Sequence, residues 1–274
     1  MYLLIGSDAD AVCRSVARAL RERGREAFID DNPTLAPFSV SRLEGVLVCQ
    51  QGAPVPASPA ADRQSAAARL EARAALLAML WALECPVVNR TRADLWYRAR
   101  RSLVEWHSVL RRHDLAPAAG QITNSVAAAR RFASAWHGHA IYRPLSSRAR
   151  YPLDSEAQWQ EFARVLMHLP GCLIEPLAPP RIFASLIDAT VYWSECPSID
   201  SAERERVESG LRQLGKTLDV SVLELELGLR PSSHDSHPAV ASACLDLSLD
   251  LGRYAVPDQQ MMVDDILRLL QATH

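Results

Sequence analysis

The stretch from residue 86 to 145, PVVNRTRADLWYRARRSLVEWHSVLRRHDLAPAAGQITNSVAAARRFASAWHGHAIYRPL, constrains the fold more than any other. A short β-like pair, Val87 and Val88, runs into Asn89-Arg90. Apolar residues at Leu95, Trp96, Leu103, Trp106, Val109 and Leu110 predict one long amphipathic helix. Pro117 ends it, because proline has no N–H to donate and its ring clashes with a continuing helix. Gln121-Ile122-Thr123 alternates as a strand does, and Asn124 or Ser125 can cap the helix that follows. Ala140-Ile141-Tyr142 then forms a strand that carries Arg143-Pro144-Leu145 at its end.

The segment ahead of this stretch opens as a βαβ unit. Tyr2-Leu3-Leu4-Ile5 is a buried strand, Gly6-Ser7 a turn, and Asp8 or Asp10 caps a helix over residues 9–23. In that helix Val12, Val16, Ala19 and Leu20 share one face, and Gly24 is its stop. Residues 27–31 and 43–48 give two further strands, and 66–83 a helix rich in alanine and leucine. The Gly6-Ser7 turn lacks the GxGxxG spacing of a dinucleotide site. Asp30 ends its strand where a ribose contact or a plain solvated carboxylate would both fit.

Behind the stretch, Ser155 can cap a helix to residue 167, with Trp159, Phe162, Ala163 and Leu166 on one face. Strands are expected at 172–176, 181–186, 189–193, 220–227 and 243–251. Helices are expected at 201–218 and 263–270. Residues 52–62 and 230–238 are breaker-rich or polar without periodicity and are expected to be the mobile internal loops.

Composition narrows the class. With 274 residues the chain can bury a large core in one to three lobes. A formal net charge of -2 gives no bulk attraction to nucleic acid. Six cysteines lie scattered without a CxxC pair, which reads as buried thiols in a reducing compartment. Met1 runs straight into a strand and no apolar run nears membrane-spanning length, so a cytoplasmic protein with no membrane partner is expected. Lys216 is the only lysine, which makes arginine the cation at nearly every candidate position. His137-Gly138-His139 and the pair His234, His237 have no third ligand nearby in sequence and do not frame a zinc site.

The order of parts resembles the ATP-grasp superfamily. The residues that carry the likeness are Pro86 to Arg90, Leu115 to Thr123, Ala129 to Ala133 and Ile141 to Leu145. The resemblance implies an α/β and α+β fold: a Rossmann-like N-terminal lobe (1–84) followed by an ATP-grasp-like pair of α+β lobes (85–175 and 176–274), meeting near Glu175. It implies ATP and Mg²⁺ as cofactors. The implied activity is an ATP-dependent carboxylate-amine (or related) ligase acting on a peptide or amino-acid substrate through an acyl-phosphate. The alternative is a catalytically degenerate scaffold that binds a protein partner.

The same resemblance assigns the site. Arg143 stands where the family carries a phosphate lysine, and Arg181 matches an arginine that faces the phosphates; both are the candidate catalytic cations. Arg101 joins Arg143, Arg181 and Glu175 as nucleotide contacts, Glu175 at the hinge beside the adenine. Glu224 or Glu226 falls at the first metal carboxylate, and Asp246-Leu247-Ser248 matches a Glu-Ile-Asn metal motif. Arginine for lysine keeps charge but replaces a point charge with a planar fork. Aspartate for glutamate shortens the arm, and serine for asparagine removes a carbonyl ligand. Residues 146–150 replace a glycine-rich loop whose N–H groups would cradle phosphate; Arg148 and Arg150 either substitute electrostatically or sit in solvent. Without the template, Glu224 and Glu226 alternate with leucine as on any strand with one solvated face.

Overall fold

The computed structural model describes residues 1–30, 40–50, 63–97, 103–145, 149–194, 199–230, 242–251 and 259–272. Three four-stranded sheets organise them. The chain opens with β1 (Tyr2–Ile5), α1 (Ala11–Glu22), β2 (Ala27–Asp30), β3 (Gly45–Val48), α2 (Arg63–Ala82) and β4 (Val87–Val88). These strands form a parallel sheet of order β2-β1-β3-β4. Every residue of β1 and β3 is buried, which is why YLLI and GVLV read as unbroken apolar runs. Of the two candidate caps for α1, Asp10 is the one used. Its carboxylate accepts from the N–H groups of Val12 and Cys13 at 2.8 and 3.0 Å.

Next come α3 (Ala93–Trp96), α4 (Leu103–Arg112), β5 (Gly120–Thr123), α5 (Val126–Ser134), β6 (Ala140–Arg143), β7 (Tyr151–Leu153), α6 (Glu156–Leu166) and β8 (Gly171–Ile174). The four strands pair antiparallel in the order β5-β8-β6-β7. Trp159, Phe162, Leu166, Ala129 and Ala133 pack with Leu173 of β8. Ser125 caps α5, and Ser155 closes a reciprocal capping box with Gln158 at the start of α6. The helix expected over residues 95–110 is seen as two described pieces, α3 and α4. Residues 98–102 between them lie outside the described residues, as does the loop 52–62.

The third sheet holds β9 (Ala178–Ile187), β10 (Thr190–Trp193), β11 (Val222–Leu229) and β12 (Ser242–Ser248), antiparallel in the order β10-β9-β11-β12. β9 and β10, at the strands expected over 181–186 and 189–193, form a hairpin. β9 begins three residues earlier than expected, because Ala178 pairs with Leu229 ahead of two prolines that cannot donate to a ladder. One sheet face is aliphatic: Ile182, Ala184, Leu186, Leu223, Leu225 and Leu227 pack against α4 and α7 (Ser201–Leu218). The closing helix α8 (Gln259–Gln271) returns to the first sheet, where Met262, Ile266 and Leu270 meet Val12, Val16 and Leu20.

Asn89 pins the first sheet to the third. Its backbone is left-handed, with φ of 63°, a region asparagine tolerates better than most residues. Its side-chain amide donates to the carbonyl oxygens of Val48 at 2.9 Å and Leu249 at 2.8 Å. Its backbone N–H donates to Ser221 Oγ at 3.0 Å. The asparagine of the Pro-Val-Val-Asn motif is therefore a structural clasp at the ends of β3 and β12.

Candidate functional site

The face of the third sheet opposite α4 and α7 changes character along its length. At one end Ile187 and Val222 are apolar and join the core under α1 and α8. Farther along, Ser185 of β9 stands opposite Glu224 of β11, and Glu224 opposite Ser248 of β12. In the next row Phe183, Glu226 and Asp246 stand side by side. Cross-strand partners and residues two apart share a sheet face, so these polar groups gather on one side. β11 is buried at all eight positions. The solvated-face reading of Glu224 and Glu226 is thereby overturned: they are 0% and 5% exposed. Over Glu226 lies Arg150, from the chain ahead of β7 in the second sheet, which no periodicity within β11 can announce.

Arginines meet these acids. Arg143, at the end of β6, is 3% exposed and donates from Nη2 to Asp246 Oδ1 at 3.0 Å. Its Nη1 donates to the carbonyl of Leu245 at 3.0 Å. The β11–β12 register shifts here, passing from the Glu226–Asp246 pair to Leu227–Cys244 and skipping Leu245. That bulge turns the Leu245 carbonyl to Arg143. Charged groups this deeply buried persist only when paired, because desolvation costs several kcal/mol per ion.

Arg150 precedes β7 and closes on Glu226 with both terminal nitrogens, Nη2 to Oε2 at 2.6 Å and Nη1 to Oε1. Arg181 of β9 brings Nε to 4.0 Å from the same carboxylate. Burial lowers the Arg181 pKa, repulsion from Arg150 lowers it further, and Glu226 opposes both. Gly228 lets the Arg181 guanidinium in: a Cβ there would stand 2.6 Å from Nη1. That Nη1 is buried with no hydrogen-bond partner among the described residues.

Glu175 sits just past β8, where the second and third sheets meet. It is 4% exposed and accepts from the Ala119 N–H at 2.8 Å. Arg230, at the end of β11, donates to it from Nη2 at 2.9 Å and also reaches the Pro117 carbonyl. Arg143 thus meets Asp246, Arg150 and Arg181 meet Glu226, Glu224 and Ser248 stand one row along the same sheet face, and Glu175 meets Arg230. Arg101 lies outside the described residues. Sequence reading missed Arg230 as a partner of Glu175, and Ser185, whose fully buried hydroxyl has no hydrogen-bond partner among the described residues. A single serine in an apolar strand gives no signal until its neighbours are known.

The oxygen set tests whether a metal ion fits. Among the described residues no three His, Cys, Asp or Glu side chains stand together as a metal centre. A pair of carboxylates with two serine hydroxyls is all oxygen, which suits a hard cation. It is too sparse to hold one unaided, and Mg²⁺ characteristically takes one or two carboxylates and completes its shell with phosphate oxygens and water. The orphaned Ser185 hydroxyl beside Glu224 points the same way. The residues fit a divalent cation that arrives with a phosphate ligand.

No family model matches the sequence, and no curated protein matches it. Solved structures do. The ATP-grasp ligase PsnB, complexed with precursor peptide PsnA2 and AMPPNP, superposes with a TM-score of 0.70 at 20% identity, covering 98% of this chain and 97% of that one. The chain has the ATP-grasp fold. Macrocyclase MdnC of Microcystis aeruginosa, bound with precursor peptide MdnA, matches with a TM-score of 0.68 at 13% identity over 97% and 99% of the two chains. A RimK domain ATP-grasp protein from Sphaerobacter thermophilus gives 0.63 at 13% identity over 97% and 100%. Arg143 and Arg150, from the second sheet's side, meet Asp246 and Glu226 of the third. No helix among the described residues is long and apolar enough to cross a membrane.

Proposed function

We propose that this chain is an ATP-dependent ligase that joins a carboxylate of a peptide to an amine or related nucleophile. One observation supports the reading: buried Asp246 and Glu226, side by side on β12 and β11, are met by the arginines Arg143, Arg150 and Arg181. Structures of the same fold have been solved with precursor peptides and with nucleotides, which supports a peptide substrate and ATP. The lobes are taken as 1–84, 85–175 and 176–274. The described cysteines are free thiols, in keeping with a cytoplasmic setting.

In this reading Glu175 takes the hinge beside the adenine, and Arg101, Arg143 and Arg181 take the phosphates. Glu224 or Glu226, with Asp246 and Ser248, supplies oxygen donors to Mg²⁺, which neutralises phosphate charge when bound. The peptide carboxylate attacks the γ-phosphorus, the bond to the ADP oxygen breaks, and an acyl-phosphate forms. The amine nitrogen then attacks the carbonyl carbon and phosphate leaves. Arg143 and Arg181 stabilise charge as it moves between oxygens. The test is ATP turnover in the presence of candidate peptides, in wild type and in Asp246→Asn and Arg143→Ala. Loss in both variants with the fold intact supports the ligase.

A second reading, a degenerate scaffold that acts through a protein partner, is favoured by one feature. Asp246 and Arg143 already satisfy each other in the buried cleft at 3.0 Å. Wild-type protein that neither turns over ATP nor is stabilised by it would establish this reading instead.

A further inference from the structure

Glu226 and Arg150 form a bidentate pair: both carboxylate oxygens accept from the two terminal nitrogens of one guanidinium. Such fork-to-fork pairing uses the carboxylate's favoured in-plane directions. A metal would have to displace it. The same carboxylate has a second guanidinium, Arg181, at 4.0 Å. Two guanidiniums therefore share this one carboxylate. Neither arginine is sealed off, the side chains of Arg150 and Arg181 being 22% and 28% exposed while that of Glu226 is 6% exposed. Like charges brought together at the edge of a buried cleft repel strongly unless an anion lies between them.

We infer that Glu226 is the shared counter-ion that gathers Arg150 and Arg181 into a polyphosphate-gripping pair, and that it is not a metal ligand. This rests on the nucleotide reading above for its natural ligand, a nucleoside triphosphate. The pair substitutes for the backbone cradle that residues 146–150 lack in sequence. Two guanidiniums present planar, paired N–H donors to phosphate oxygens, as a run of backbone amides would. Glu226 is a positioning residue: it acts through the arginines it holds. Gly228 belongs to the same device, since a side chain there would expel the Arg181 guanidinium.

The proposal has a sign that separates it from a metal role. Replacing the counter-ion by its neutral isostere, Glu226→Gln, removes one negative charge from between the two guanidiniums. Affinity for tripolyphosphate, measured by calorimetry without divalent metal, should then hold or tighten. The Mg²⁺ concentration giving half-maximal ATP turnover should stay where it is in wild type. Arg150→Gln should weaken tripolyphosphate binding roughly tenfold or more, the loss expected for a charge-assisted hydrogen-bonding pair. Because Arg150→Gln leaves Glu226 without its bidentate partner, Arg150→Lys is measured beside it. It keeps the charge but loses the fork, and should weaken binding by a smaller factor in a protein that melts near wild type. A Glu226→Gln protein that binds tripolyphosphate more weakly, or needs more Mg²⁺, overturns the proposal. So does unchanged binding in both Arg150 variants, or a wild type that binds no tripolyphosphate. If wild type binds tripolyphosphate through Arg150 but shows no affinity for ATP, the anion pair stands and the nucleotide reading fails.

Discussion

Strands β3 and β11 are both buried along their whole length, yet they are built on opposite principles. β3 is Gly-Val-Leu-Val and asks nothing of its surroundings but apolar cover. β11 carries two carboxylates among its leucines and runs beside Asp246 of β12, and charge buried there must be compensated. The compensation comes from elsewhere in the chain: Arg150 ahead of β7 for Glu226, and Arg143 of β6 for Asp246 on the neighbouring strand. A core strand is thus specified by its own residues, whereas a site strand is specified by residues dozens of positions away. Burial alone does not tell the two apart, but the presence of imported cations does.

The largest expected effect breaks one imported pair. Asp246→Ala leaves the buried Arg143 guanidinium facing an apolar gap and should destabilise the fold by about 3–5 kcal/mol in urea denaturation. Replacing both partners, Arg143→Met with Asp246→Leu, should recover most of that loss, because no uncompensated charge remains. Equal losses in the single and double variants would mean that the pair is not what holds the two sheets in register.

β3 gives the matching control. Leu47 is fully buried, and Leu47→Ala should cost about 3 kcal/mol through lost burial and the cavity left behind. Tripolyphosphate affinity of the folded protein should stay unchanged. A large affinity change would dissolve the contrast between the two strands.

A smaller effect concerns Glu203 of α7, which ties that helix to the start of β12. Its carboxylate accepts from Ser242 N at 2.9 Å and pairs with Arg206 at 2.7 Å. Burial raises its pKa, but the bonds from Arg206 and Ser242 outweigh burial and hold it below the usual value. A carboxylate with a depressed folded pKa contributes stability above its unfolded pKa. That contribution is lost as pH falls through the folded value. Wild type should therefore lose its margin over Glu203→Gln on acidification below about pH 4. A margin independent of pH would show that Glu203 acts only by packing.

Much of the scaffold was legible because it is local. The Ser155 and Ser125 caps and the turn at Asp188 between β9 and β10 each depend on residues a few positions apart. The ATP-grasp order of parts was legible for the same reason, since it is a succession of local elements. The site was legible in its membership but not in its pairing. Glu224 and Glu226 read equally as solvated residues, and Arg150 as one of two arginines in an unassigned loop. The bulge at Leu245, the partnership of Arg230 with Glu175 and the orphaned hydroxyl of Ser185 arise only when three strands and a neighbouring sheet come together. β7 escaped notice because three residues with a central proline carry no periodicity.

The central claim is that this cleft binds a nucleotide together with its divalent cation, the acids being too few to hold the metal alone. It is tested most directly by the unfolding free energy of wild type with Mg²⁺ alone, with ATP alone and with both. The account predicts no stabilisation by Mg²⁺ alone and about 2.7 kcal/mol with both present at 100 times the dissociation constant. Stabilisation by Mg²⁺ alone, or none from ATP and Mg²⁺ together, would contradict it.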